Sequence, residues 1–110
     1  MNIYFAAPLF AASDLQYNAA LVKKIRQQYP DITLYLPQEN AAINDKSAYA
    51  DSTMIALADT EKVLTSDLMI ACLDGLTIGA GVTSEIGVAY DKGIPVIRLY
   101  TDSRQQDADN

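Results

Sequence analysis

The stretch that decides the fold is LMIACLDGLTIGAGVTSEIGVAY, residues 68–90. It opens with a continuous apolar run from Leu68 to Leu73, which is typical of a central strand covered on both faces. A glycine-rich loop follows, from Asp74 to Gly81, and the next residues are expected to form a helix that carries Glu85 in its first turns. A strand that leads through a loop into a helix is the repeating unit of a parallel α/β sheet.

Glu85 is the first candidate for chemistry. The first N–H groups of a helix are unpaired and carry the positive end of the helix dipole, so we expect a carboxylate there to stay ionised and able to attack an electrophilic carbon. The alternative is a glutamate that only caps and solubilises the helix, because acidic residues are favoured in any first turn. Spacing alone leaves both interpretations open.

The rest of the chain alternates strands with helices. Strands are expected at Asn2 to Ala6, Ile32 to Leu36 and Pro95 to Tyr100, and helices at Ser13 to Tyr29 and Ser47 to Leu64. Ser13 is the expected N-cap of the first helix. Apolar residues at three- and four-residue spacing predict the buried face of that helix, which consists of Leu15, Ala19, Val22, Ile25 and Tyr29.

This order of elements predicts the α/β fold class, with a flavodoxin-like doubly wound parallel sheet in a single domain over residues 1–110. Such sheets bind ligands outside the carboxyl ends of their strands, so the loops at residues 6–12 and 74–81 should face one crevice. The polar tail from Thr101 to Asn110 has no apolar period. We therefore expect the fold to lack its C-terminal part, or a partner subunit to cover that face of the sheet.

Composition opposes several classes of function. A net charge of -6 and a pI near 4.3 disfavour binding to nucleic acid or to an anionic membrane, which requires clustered Lys and Arg. The chain has no His, which removes Ser-His-Asp and Cys-His catalysis and leaves a zinc site almost without ligands. Its single cysteine, Cys72, excludes a disulfide framework. Without a signal peptide or a run of about 18 apolar residues, we expect a cytoplasmic protein that does not enter the membrane.

Four segments together resemble the nucleoside 2-deoxyribosyltransferase family. They are YFAAPLF at 4–10, Asp59 in the helix before the third strand, SDLMIACLDG at 66–75 and GVTSEIGVAY at 81–90. The resemblance implies a flavodoxin-like enzyme that needs no cofactor and that exchanges the base of a 2'-deoxynucleoside through a covalent deoxyribosyl-glutamate. It also implies a nucleoside and a free nucleobase as partners, and a homo-oligomer whose neighbouring subunit helps to complete the pocket.

Carried over by position, the resemblance makes Glu85 the nucleophile on the anomeric carbon. Asp59 then handles the base and transfers its proton, and the Tyr4 hydroxyl positions the nucleophilic carboxylate. The alternatives are a solvated helical aspartate and a tyrosine of the core. The catalytic residues implied are thus Glu85, Asp59 and Tyr4.

Further residues are expected to bind substrate. Ala7 and Pro8 lie in a turn of small residues, where the backbone can approach a ligand closely, although a tight turn needs no ligand to explain it. Asp74 and Gly75 follow the third strand and should face the crevice. Backbone N–H groups of Gly79 and Gly81 could hold an anion at the helix start.

Gly79 is also the main departure from the family pattern. Transferases of the family usually carry there an aspartate that binds the deoxyribose hydroxyls, and related 2'-deoxynucleoside 5'-phosphate N-hydrolases carry a serine in this region. Two alternatives therefore stay open, an N-glycoside hydrolase and a protein that binds a nucleoside without turning it over. Neither loop contains Arg or Lys, which favours a neutral nucleoside over a nucleotide.

Overall fold

The computed structural model describes residues 1–9, 11–39, 52–74 and 80–101. In these ranges four strands alternate with three helices, and a short 3-10 turn, Pro37–Glu39, follows the second strand. The elements are β1 (Asn2–Ala6), α1 (Ala12–Gln28), β2 (Thr33–Tyr35), α2 (Ser52–Leu64), β3 (Leu68–Cys72), α3 (Ala80–Asp91) and β4 (Val96–Leu99). Their ends lie within about one residue of the predicted ends, except that residues 47–51 of the second predicted helix fall outside the described ranges.

The strands form one parallel sheet in the order β2-β1-β3-β4. From β1 the chain goes to β2 on one side and later returns to β3 on the other, so the topological switch point lies between β1 and β3. Tyr4 of β1 is opposite Tyr35 on β2 and Met69 on β3. The prediction of a flavodoxin-like doubly wound sheet is confirmed.

Successive side chains of a strand point to opposite faces of the sheet. Both faces therefore carry apolar residues, and helices cover both. Tyr4 and Met69 point to the face packed by Val63 of α2 and by Val82 of α3. The adjacent Phe5 belongs to the opposite cluster, which packs against α1. Tyr4 and Phe5 are both fully buried, so β1 is the centre of the core. No helix in the described part of the chain is long and apolar enough to span a membrane.

The start and the buried face of α1 differ from the prediction. Ser13 is not the N-cap, because the helix begins at Ala12 and the N–H of Ala11 donates to the carboxylate of Asp14 at 3.0 Å. A carboxylate at the third helical position can reach back to that N–H, so no hydroxyl is needed at the cap. Leu15 is also exposed rather than buried, and its place on the buried face is taken by Asn18. Of the other predicted face residues Ala19 and Tyr29 are exposed, Val22 is buried and Ile25 is partly buried.

Asn18 can be buried because both N–H groups of its side-chain amide donate hydrogen bonds. Its Nδ2 donates to the carbonyl oxygen of Pro8 and to Oε1 of Gln38, each at 3.1 Å. Gln38 in turn donates to the carbonyl oxygen of Leu15 at 2.9 Å. A polar side chain costs little to bury once hydrogen bonds replace its contacts with water. The apolar period of α1 could not reveal a buried residue of this kind.

Candidate active site

The candidate site is centred on a contact between β1 and α3. Tyr4 is the middle residue of β1, and its hydroxyl donates a hydrogen bond to Oε2 of Glu85 on α3. Burial, and then the bond to Glu85, raise the pKa of the Tyr4 hydroxyl well above its usual range. Tyr4 therefore stays protonated and acts as a donor at any physiological pH. Two of the three predicted catalytic residues are thus in direct contact.

Glu85 has an unusual tendency to hold a proton. Burial raises the pKa of its carboxyl from 4.5 to about 7, the bond from Tyr4 lowers it, and the negative charge of Asp59 raises it further. Glu85 is the sixth residue of α3, beyond the first turn where N–H groups are unpaired and the dipole acts most strongly. The expectation that the helix start keeps Glu85 ionised is therefore wrong, because burial raises the pKa of its carboxyl and the residue lies beyond the first turn.

Asp59 of α2 is the second carboxylate of the site. It is partly buried and accepts a hydrogen bond from the Tyr35 hydroxyl at 3.2 Å. Burial raises the pKa of Asp59, and the bond from Tyr35 lowers it. Because the charge of Asp59 also raises the pKa of Glu85, the two carboxyl groups lie close enough to influence each other. The structure thus brings together all three residues implied to be catalytic.

Two tyrosines connect these carboxylates. The rings of Tyr4 and Tyr35 are 5.5 Å apart between centroids and tilted by 33°. Nζ of Lys62 lies 5.5 Å from the centroid of the Tyr35 ring. The sequence analysis missed Tyr35 and Lys62. The available signals were that Tyr35 ends a strand at the same edge of the sheet as the site, and that Lys62 follows Asp59 by three residues on a helix.

Asp74 lies at the carboxyl end of β3, as expected. Its carboxylate accepts hydrogen bonds from the backbone N–H of Thr101 at 2.5 Å and from the Thr101 hydroxyl. The thiol of Cys72 also lies 3.6 Å from it. These contacts connect the ends of β3 and β4. A role for Asp74 in binding substrate stays a prediction.

The remaining predicted binding residues divide by position. Ala7 is buried and Pro8 partly buried at the carboxyl end of β1, where the bond from Asn18 holds the Pro8 carbonyl. Gly81 lies in the first turn of α3, and a Cβ added there would meet open space, so packing does not require this glycine. Gly75 and Gly79 lie outside the described residues. Within the described ranges, no group of three or more His, Cys, Asp or Glu residues could hold a metal ion.

Comparison with known proteins agrees with this arrangement. The sequence profile of the family described as nucleoside 2-deoxyribosyltransferase matches residues 3–110. The chain belongs to this family. A search of curated proteins finds no significant match. Family members act on nucleosides and nucleobases, which supports small-molecule partners for this chain.

Solved structures of related proteins extend the comparison. A conserved protein from Enterococcus faecalis V583 is 74% identical, with a TM-score of 0.88 over 100% of this chain and 69% of that chain. A 2-desoxiribosyltransferase from Leishmania mexicana is 21% identical, with a TM-score of 0.74 over 92% of this chain and 65% of that chain. A CMP N-glycosidase from Clostridium botulinum is 16% identical, with a TM-score of 0.63 over 96% of this chain and 74% of that chain.

These solved structures differ in how similar they are to this chain. The two distant structures share the fold alone with this chain, which spans less than two thirds of the Leishmania mexicana protein. The family match, and not these two structures, indicates an enzyme of glycosyl transfer.

Proposed function

We propose that this chain cleaves the N-glycosidic bond of 2'-deoxynucleosides through a covalent deoxyribosyl ester on Glu85 and passes the sugar to another nucleobase. The observation that carries the proposal is the hydrogen bond from Tyr4 to Glu85, which holds a partly buried carboxylate in one orientation. Membership of the nucleoside 2-deoxyribosyltransferase family supplies the substrate class.

In the first step, ionised Glu85 attacks C1' of the deoxyribose. Tyr4 engages Oε2, so we assign the attack to Oε1. The C1'–N bond breaks as the C1'–O bond forms, and its electron pair leaves with the base. This reaction passes through an oxocarbenium-like state, which a nearby negative charge stabilises. The tyrosine hydroxyl keeps the carboxylate oriented while water is largely excluded.

Asp59 supplies the proton that the departing base needs. Its raised pKa favours the protonated form relative to an ordinary aspartic acid, and its partial burial leaves it accessible from the crevice. In the second step, a nitrogen of the incoming base attacks C1' and Glu85 leaves as a carboxylate. The proton lost by the incoming base returns to Asp59, so the enzyme ends in its starting state.

Hydrolysis is the second candidate. By resemblance to the family, Gly79 stands where transferases carry an aspartate that holds the sugar hydroxyls, and it does not match the serine of the related hydrolases either. A sugar held with fewer contacts leaves more room for water to attack the ester. A protein that only binds a nucleoside is the third possibility. Transfer, hydrolysis and binding use the same crevice and differ in their products.

One reaction separates these possibilities. The chain is incubated with a panel of 2'-deoxynucleosides and excess adenine, and the products are resolved by chromatography. New deoxyadenosine that depends on Glu85 supports transfer, whereas free deoxyribose alone supports hydrolysis. Glu85→Ala is the control. Equal turnover by that variant would disprove the mechanism, and no product from the wild type would favour binding alone.

Covalent chemistry has a direct readout as well. A 2'-fluoro nucleoside slows breakdown of the ester, so intact-mass spectrometry should detect added sugar mass on the wild type, with peptide mapping to Glu85. Reversible binding without added mass would contradict the proposed intermediate. The cytoplasmic location and the homo-oligomeric state stay predictions, and sedimentation of the purified chain would test the second.

A further inference from the structure

We infer that Tyr35 is a positioning residue, which fixes the orientation and the protonation of Asp59 during glycosyl transfer. This inference rests on the proposed function, because it assigns Asp59 a proton-transfer role. Its structural basis is that the Tyr35 hydroxyl donates to Oδ1 of Asp59 at 3.2 Å, in a partly buried setting. Tyr35 acts through Asp59 and need not touch the substrate.

Helix α2 contacts Tyr35 at two points. Asp59 accepts from the hydroxyl at the tip of the side chain, while Nζ of Lys62 lies 5.5 Å from the centroid of the ring. These residues are three apart on the helix, so they lie on the same helical face. The hydrogen bond and the cation–π contact both favour this position of the Tyr35 side chain. In that position its hydroxyl favours the orientation in which the Asp59 carboxylate accepts the bond.

Tyr35 also packs against Tyr4, the residue that donates a hydrogen bond to the proposed nucleophile. Tyr35 lies opposite Tyr4 in the parallel pairing of β1 with β2, and their ring centroids are 5.5 Å apart. Tyr4 in turn donates to Glu85. Each carboxylate therefore has its own tyrosine donor, and packing of the two rings fixes the spacing between the proton donor and the nucleophile.

Loss of the Tyr35 hydroxyl should change both the proton affinity and the orientation of the Asp59 carboxyl group. Asp59 accepts a hydrogen bond from Tyr35 of β2, and its charge acts on Tyr4 of β1 and on Glu85 of α3. Lys62 lies three residues further along the same helix. The Tyr35 hydroxyl stabilises the ionised form of Asp59 by direct hydrogen bonding. Without it Asp59 holds its proton to higher pH, and its carboxyl group samples more orientations. Proton delivery to the base then becomes slower even though the acid is more protonated.

The test uses Tyr35→Phe, which removes the hydroxyl and keeps the ring against Tyr4 and Lys62. We expect kcat to fall on the order of tenfold with little change in KM, because the lost bond acts on proton transfer. The limb of the pH profile that reflects Asp59 should move to higher pH, because the lost hydrogen bond favours the ionised carboxylate. Tyr29→Phe is the matched control, since Tyr29 is 59% exposed at the end of α1 and should leave both quantities unchanged.

A double-mutant cycle shows whether Tyr35 acts through Asp59. In an Asp59→Asn background, Tyr35→Phe should have almost no further effect on kcat, because the group that it positions is already lost. Additive losses in the double variant would overturn the inference and make Tyr35 an independent contributor. An unchanged kcat and pH profile in the single variant would also overturn it.

A second measurement needs no turnover. The carboxyl carbon of Asp59, labelled with carbon-13 and assigned by its absence in Asp59→Asn, is titrated by NMR in the wild type and in Tyr35→Phe. A higher midpoint in the variant supports the inference, and equal midpoints refute it. Absence of any wild-type turnover would reject the proposed function, and this titration would still decide whether Tyr35 controls Asp59.

Discussion

Glu85 should reduce the stability of the fold whenever it is ionised, and Glu85→Gln should remove that cost. A rise in the carboxyl pKa from 4.5 to about 7 corresponds to at most about 3.5 kcal/mol, at about 1.4 kcal/mol per pKa unit. Because the folded-state pKa is the higher one, the protonated group favours folding. That contribution is fully present below about pH 4.5 and is lost as pH rises through about 7.

The magnitude follows from the same linkage. Between pH 5 and pH 8 the wild type loses at most about 2.5 kcal/mol through this group, and partial exposure of Glu85 reduces the expected figure to about 1–2 kcal/mol. The amide of Glu85→Gln is neutral at both pH values and can still accept the bond from Tyr4. The variant should therefore match the wild type at pH 5 and exceed its stability by about 1–2 kcal/mol at pH 8.

Urea unfolding at pH 5 and pH 8 measures both proteins under each condition. The difference in unfolding free energy between the two proteins cancels the contribution of every other titrating group, because both proteins contain those groups. Glu61→Gln is the matched control, because Glu61 is an exposed glutamate on α2 and should give no comparable pH-dependent difference. If Glu85→Gln gained no stability on going from pH 5 to pH 8, the carboxylate would not be desolvated as described.

Two further predictions concern the site and its support. Tyr4→Phe should move the limb of the pH–rate profile that reflects Glu85, near pH 7 in the wild type, to higher pH, because the lost bond lowers the pKa of Glu85. A pH–rate profile of each protein tests this, and an unmoved limb would contradict it. Asn18→Ala should destabilise the fold by about 1–3 kcal/mol, because it removes the buried amide that donates to Pro8 and Gln38. Urea unfolding checks this, with Ala19→Ser, on the exposed side of α1, as the control, and a loss no larger than that of the control would contradict the bonding described.

The stability cost of ionised Glu85 is connected with its proposed role as the nucleophile. A nucleophile that must be both desolvated and ionised holds its charge where charge is costly, and this raises its reactivity. Tyr4 limits the cost by donating to the carboxylate, and the charge of Asp59 increases it. Activity and stability are therefore expected to change in opposite directions at this position.

The order of elements is a local property, and the sequence by itself determined it. The apolar run at Leu68 to Leu73, the glycine-rich loop after it and the helix carrying Glu85 can be recognised because strand and helix periods are written in neighbouring residues. Alternation of strands and helices then predicts a parallel sheet, which the structure has. The resemblance to the family was also a matter of sequence, and it indicated Tyr4, Asp59 and Glu85 as a set.

Only the tertiary structure decided how these residues affect one another. Tyr4 and Glu85 are 81 positions apart, and no local pattern states that a hydroxyl and a carboxylate so distant will form a hydrogen bond. The proton affinity of Glu85 depends on how much water its neighbours exclude, which reversed the expectation drawn from the helix start. Tyr35 and Asn18 were missed for the same reason. Their roles come from partners on other elements, and burial and pairing of that kind are set only when the chain packs.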